Sequence, residues 1–185
     1  DEKMALAVLD VAGAPAQAAR LVQSGDTVVI IGAGGKSGTL CMYEARKRAG
    51  VSGKVIGLGH SKAGCDRMKS LGWADHVLQV DATNAVAVME AVAEVTGGKM
   101  ADLTINCVNV PGTEMSSIMA TRDLGKIYFF SMATSFTAAA LGAEGVGKDV
   151  EMIIGNGYAK DHAQIALSLL RESEQLRKLF EELYV

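Results

Sequence analysis

Six short apolar runs, each followed by a segment of helical character, constrain this chain more than any other feature. The runs are TVVIIG (27–32), KVIGLG (54–59), HVLQVD (76–81), DLTINCV (102–108), KIYFFSM (126–132) and VEMIIG (150–155). Most are nearly continuous in apolar residues, as strands covered on both faces are; a strand with one wet face would alternate instead. The helical segments between them carry their own punctuation. Residues 38–49 stop at Gly50, 62–71 stop at Gly72, and 85–95, with Asn84 placed to cap them, stop at Gly97-Gly98. Thr113 stands where it would cap a helix running through Ala120. Parallel strands need such crossovers, so the pattern predicts an α/β fold with a doubly wound, six-stranded parallel sheet.

The ends of the chain extend the pattern. From about Asp161, Ile165, Leu167, Leu169 and Leu170, then Leu176, Leu179, Phe180 and Leu183, fall at helical spacing on one face, with a break expected at Ser173-Glu174. Such a face requires a partner surface. The opening DEKMALAVLD reads as an amphipathic helix with no linker before it, and so as the interior of a longer chain. Residues 1–185 are expected to form one domain excised from that chain.

Composition removes several classes of function. The net charge is -3 and no basic block occurs, which argues against nucleic acid or an anionic membrane as partner. No apolar run reaches the ~18 residues of a membrane span, and the first residues do not read as a signal peptide. Cys41, Cys65 and Cys107 are three, widely spaced and without a C-x-x-C, so reduced thiols and a cytoplasmic location are expected.

The turn after the first strand, IIGAGGKSGT (30–39), carries the ligand signal. Its GKS tail resembles a phosphate-binding P-loop, but the glycine that must lead such a loop is replaced by Ile30, inside the strand. Gly32, Gly34 and Gly35, with Gly38 at the start of the helix, suit a dinucleotide turn better. One glycine permits the tight turn, another lets backbone N–H groups approach a pyrophosphate, and a small residue lets helix and strand pack closely. Ser37 stands where strict G-x-G-x-x-G has its third glycine, and Lys36 precedes it. The cofactor implied is NAD or NADP. The second strand ends without the usual ribose-binding acid, in GLGHSKAG; His60, Ser61 and Lys62 there read either as a 2′-phosphate site or as a polar turn in which Ser61 caps the helix. Asp81 either caps the helix after the third strand or borders the adenine. Cys107, Val108 and Asn109, with Ser131 and Met132, end the fourth and fifth strands at the sheet edge where ligands bind and are expected to line the nicotinamide half.

Complete catalytic chemistry is not visible. His60, His76 and His162 show no ligand spacing, the cysteines show no zinc spacing, and Glu114 reads as a first-turn partner of the helix dipole. Catalytic residues are not identified, and no metal site is expected.

The opening LDVAGAPAQAARLVQSGDTVVIIGAGGKSG, together with SLGWADHVLQ and GKIYFFSM, resembles the Rossmann cofactor domain of the medium-chain dehydrogenases. LDVAGAPAQ, INCVNVPGTEMSSI, YFFSMATSFTAAALGAEGVGKD and MIIGNGYAKDHAQIAL resemble, within that group, the family of L-erythro-3,5-diaminohexanoate dehydrogenases of lysine fermentation. The resemblance runs from end to end. It implies NAD(P)-dependent oxidative deamination of a small diamino acid, a missing N-terminal substrate-binding half, and an isolated domain without activity. A homodimer through the sheet edge is a further expectation. ALGAEGVGKD (140–149) is glycine-rich for a crossover helix and is expected to form cleft wall facing the missing half. The competing readings are a non-catalytic domain that senses nicotinamide dinucleotide and a methyltransferase, which would itself require the acid missing from the second strand.

Overall fold

The computed structural model describes residues 2–155 and 157–185. Its strands are β1 (Thr27–Ile31), β2 (Lys54–Gly59), β3 (His76–Gln79), β4 (Ala101–Asn106), β5 (Thr121–Phe129) and β6 (Val150–Ile154). Its helices are α1 (Glu2–Leu9), α2 (Gly13–Leu21), α3 (Lys36–Ala49), α4 (Lys62–Leu71), α5 (Ala85–Thr96), α6 (Glu114–Ala120), α7 (Phe136–Val146), α8 (His162–Glu172) and α9 (Glu174–Tyr184). The strands form one sheet in the order β3-β2-β1-β4-β5-β6, with every pairing parallel. This is a doubly wound Rossmann sheet.

The continuous apolar runs follow from covering both faces. In β1, Val28 and Ile30 point into a core built with α2, α3, α4, α8 and α9. Val29 and Ile31 point the other way, into a core with α5 and α6. A smaller cluster joins Ile118 of α6, Ile127 and Phe129 of β5, and Ala139 and Ala143 of α7. The chain therefore changes face after β3, and the loops that leave β1 and β4 diverge to opposite sides. That divergence opens a crevice at the carboxyl edge of the sheet.

Several local expectations hold. Asn84 caps α5 through its side chain, which accepts from the Ala87 N–H, and Gly97 ends that helix in the left-handed conformation. Gly72 ends α4 in the same way. Ser173 divides α8 from α9, and its hydroxyl accepts from the Leu176 N–H.

Others need correction. Residues 140–146 are helical: α7 spans Phe136–Val146, and the loop begins at Gly147. The glycines do not prevent this helix. A Cβ on Gly142 would meet Met115 Sδ at 2.5 Å, so glycine here lets α7 close onto α6. Thr113 makes no side-chain cap for α6; its hydroxyl accepts from Asn106 instead. β5 begins at Thr121 rather than Lys126, through a register shift between Ala101 and Leu103 with Leu124 in the left-handed region. The polar segment TRDLG hides that start, because Arg122 is held by an ion pair to Asp102 at 2.7 Å and not by burial. β1, β3, β4, β5 and β6 all stop one to three residues short of the apolar runs.

Candidate functional site at the carboxyl edge of the sheet

The residues beyond the strand ends line three adjoining cavities. The β3-side cavity, about 320 Å3, is walled by Ile31, Leu58, Val80, Ala82, Val108 and Val110, with Asp81, Thr83 and Thr113 at its margin. The central cavity, about 380 Å3, lies over Gly32, Gly34 and Gly35 and faces Ser61, Gly64 and Arg67 of the β2–α4 turn and helix. The β6-side cavity, about 410 Å3, is lined by Asp10, Val11, Ser37, Asn109, Phe130, Ser131 and Met132, among others. Gly32, Gly59, His60 and Val108 belong to the first two cavities, and Cys107 joins the central one to the β6-side one. Together they form a single crevice across the switch point.

The glycine turn is built for close approach. Gly32 has φ +83°, and a Cβ there would meet Val108 Cγ2 at 2.7 Å. At Gly34 a Cβ would stand 3.0 Å from the Gly64 backbone. Gly38 is the tightest position: a Cβ would fall 2.1 Å from the Gly32 carbonyl oxygen and 2.7 Å from Ala33 Cα. Gly38 thus takes the helix-packing role that the strict motif gives to the preceding position. Ser37 is tolerated at that position, facing the β6-side cavity. The Thr39 hydroxyl locks the turn by donating to the Gly35 and Ala33 carbonyls, at 2.8 and 3.2 Å. Gly35 precedes helix α3 as its cap residue and offers no side-chain cap, so the first N–H groups of the helix are available to an anion. A pyrophosphate fits this bare, positively polarised backbone.

The other expected residues separate into groups. His60 lies between the β3-side and central cavities, with its carbonyl accepting from Gln79 Nε2 at 3.1 Å. Ser61 caps α4 by accepting from the Gly64 N–H at 3.1 Å, as the polar-turn reading holds. Lys62 is paired with Asp66 on the solvent side of α4 and lies outside all three cavities. Lys36 also turns away from the central cavity: its ammonium lies 3.1 Å from Asp10 Oδ2 and 5.1 Å from the centre of the Tyr184 ring. Asp81 borders the β3-side cavity and does not cap α5. It holds its own turn by accepting from the Thr83 N–H and hydroxyl at 2.9 and 2.8 Å, bonds that keep its carboxyl below the usual range. Val108 lines the β3-side and central cavities, and Cys107, Asn109, Ser131 and Met132 line the β6-side one. Cys107 Sγ is 4.0 Å from Cys41 Sγ, and burial pushes the Cys41 thiol well above its ordinary value. Glu114 is buried and accepts from the Ser135 N–H at 2.7 Å, tying the loop after β4 to the loop after β5.

Sequence reasoning missed Asp10, Arg67 and Asn106. Asp10 lies in LDVAGAPAQ, between two helices. Arg67 Nη1 donates to the Gly34 carbonyl at 2.6 Å and bounds the central cavity; a second basic residue in the helix that begins at Lys62 was its signal. Asn106 is fully buried at the end of β4. Its amide donates to the Thr113 and Ser117 hydroxyls at 2.9 Å each, and its Oδ1 accepts from the Val108 N–H at 3.0 Å.

A doubly wound parallel sheet with an uncapped glycine turn at its switch point defines the Rossmann class of dinucleotide-binding domains. The chain belongs to the zinc-binding dehydrogenase family, whose model matches residues 38–170. It is 56% identical over 184 residues to an L-erythro-3,5-diaminohexanoate dehydrogenase of Acetoanaerobium sticklandii, a match that covers 100% of this chain and 54% of that protein. The enzyme of the same name from Fusobacterium nucleatum is 53% identical over 184 residues, covering 100% of this chain and 53% of that one. The chain thus spans about half the length of these curated relatives. Among solved structures, an alcohol dehydrogenase from Thermotoga maritima superposes with a TM-score of 0.72 at 22% identity, over 97% of this chain and 52% of that one. At that identity it supports the fold alone.

The zinc in the family's name finds no ligand set among the described residues. Among the described residues no group of three or more His, Cys, Asp or Glu side chains is placed to hold a metal ion. Among the same residues no helix is long and apolar enough to cross a membrane.

Proposed function

We propose that this chain is the nicotinamide-dinucleotide-binding part of an enzyme that oxidatively deaminates 3,5-diaminohexanoate to 5-amino-3-oxohexanoate. The observation that carries this reading is the identity above 50%, along the whole chain, to two relatives named L-erythro-3,5-diaminohexanoate dehydrogenase. Site geometry supports the dinucleotide. The apolar β3-side cavity suits an adenine, the glycine turn and the start of α3 suit the pyrophosphate, and the walls from Cys107 to Asn109 and from Ser131 to Met132 suit the nicotinamide. Gly32, Gly34, Gly35, Ser37, Gly38, His60, Ser61, Asp81 and Val108 complete the proposed cofactor cradle, while Lys36 and Lys62 act on it only through longer-range charge.

The chemistry balances as amine plus water plus oxidised cofactor giving ketone, ammonium and reduced cofactor. Bound nicotinamide supplies the hydride acceptor. This chain holds it against the sheet edge, and a substrate-binding half encoded outside these residues closes the cleft. β2 ends without a carboxylate and Arg67 borders the central cavity, so a 2′-phosphate meets no acid from that strand. Two further proposals belong to the same reading: a cytoplasmic enzyme, in keeping with three free cysteines, and a homodimer formed through the exposed edge of β6.

The test is cofactor reduction by the full-length polypeptide with 3,5-diaminohexanoate, run in parallel with NAD and NADP. Ketone and ammonium formed in step with reduced cofactor are expected. Dinucleotide binding without turnover of the diamine would return the chain to the sensing-module reading.

A further inference from the structure

Among the described residues, the wall of the β6-side cavity has one carboxylate, that of Asp10. The other polar groups there, from Ser37, Asn109 and Ser131, are neutral, and Val11, Phe130 and Met132 are apolar. Asp10 stands in the turn between α1 and α2, fixed by its N–H to the Leu6 carbonyl at 3.0 Å. Its side chain is 66% exposed. Lys36 engages Oδ2 at 3.1 Å from outside the cavity lining, which leaves Oδ1 open among the described residues. A carboxylate held in place by a lysine and presented at the mouth of an otherwise uncharged cavity is suited to receive a cation.

The proposed substrate brings such a cation. It carries two amines and one carboxylate, and only the amine on the reacting carbon must lose its proton before hydride transfer. The second stays an ammonium throughout, and a charge drawn from water into a cavity needs a partner. We infer that Asp10 is a specificity-determining residue that receives the non-reacting 5-ammonium of the substrate, with Lys36 fixing its carboxylate. The inference rests on the deaminase reading above. It extends that reading by explaining why a diamine, and not a simple amine, would be chosen. The same carboxylate also enriches cations at the cavity entrance, so its effect falls as salt rises.

The experiment uses the full-length enzyme with two substrates, 3,5-diaminohexanoate and 3-aminohexanoate, which lacks the second amine. For Asp10→Asn the expected kcat/KM on the diamine falls about 10- to 100-fold, carried by KM, the size of a lost charge-assisted hydrogen bond. Turnover of 3-aminohexanoate stays within about threefold, so the preference for the diamine collapses; NADH affinity stays within about twofold and Asp10→Glu recovers part of the loss. An unchanged preference in Asp10→Asn overturns the assignment. So does a parallel loss of NADH affinity, which would make Asp10 part of the cofactor cradle. If the parent enzyme turns over neither amine, the deaminase reading falls and takes this inference with it; a parent active on the diamine with an indifferent Asp10→Asn removes Asp10 alone.

Discussion

At Gly38 one methyl group decides between turn and clash. A Cβ there lies 2.1 Å from the Gly32 carbonyl oxygen, and both the obstacle and its support are backbone, which cannot rotate away. Gly38→Ala should therefore destabilise the fold by about 1–3 kcal/mol despite alanine's better helix propensity, because the turn must shift. Dinucleotide affinity should fall at least about tenfold, since the displaced backbone is the anion cradle. Gly145 is the control. It sits inside α7 without a positive φ, and an added methyl would find nothing within 4 Å, so Gly145→Ala should stabilise by about 0.4–1 kcal/mol. Chemical denaturation and NADH titration of both variants check the pair. Equal behaviour of the two would refute the role given to Gly38.

Between elements, Asn106 joins the end of β4 to α6 and to the turn that walls the crevice. It serves the hydroxyls of Thr113 and Ser117 and the N–H of Val108, all from a fully buried position. Asn106→Ala strips those three groups of a partner at once. The expected cost is about 1–3 kcal/mol, since the buried Val108 N–H is left unsatisfied, while the Ser117 hydroxyl still donates to the Thr113 carbonyl at 3.1 Å and the Thr113 hydroxyl to the Val110 carbonyl at 3.5 Å. Loss of the Val108 anchor should also weaken NADH binding. A denaturation midpoint within error of the parent would show that water or a rearranged hydroxyl replaces the amide. This network marks where sequence reading thins out. The runs of Val, Ile and Leu predict the strands, because apolar continuity reports two-sided burial directly. Asn106 reads only as part of a strand and its hydroxyl partners only as part of a helix and its approach, and nothing local reports that they meet. The end of β2 is legible as a polar turn, and Ser61 does cap α4. α7 escapes the sequence for a related reason: glycine lowers helix propensity locally, and only the closeness of α6 explains Gly142.

Across the whole molecule, the amphipathic face of the last helices is legible in the sequence, but its partner is not. That partner is the first helix: α9 packs on α1 and α8, and α8 packs on α1, α2 and α3, placing Leu176 and Phe180 in the same core as Val8 and Ala12. The pairing joins distant parts of the chain, which periodicity cannot report. It also has a functional reach, because α1 leads directly into Asp10 and Val11 in the wall of the β6-side cavity, and Tyr184 of α9 lies against Lys36. Phe180→Ala removes a fully buried ring whose centre lies 5.0 Å from that of Tyr184, tilted by 58°. The expected loss is about 3–5 kcal/mol, read as a fall of about 2–4 °C in Tm for each kcal/mol in a chain of this size. The loosened α1–α2 turn should then weaken binding at one end of the crevice only. Full-length Phe180→Ala, assayed below its melting range, should show a raised KM for the amine substrate. Its affinity for AMP, which would occupy the β3-side cavity walled by Leu58, Val80 and Val108, should be unchanged. If AMP affinity falls in proportion, the C-terminal helices support the sheet as a whole and do not act through the Asp10 turn.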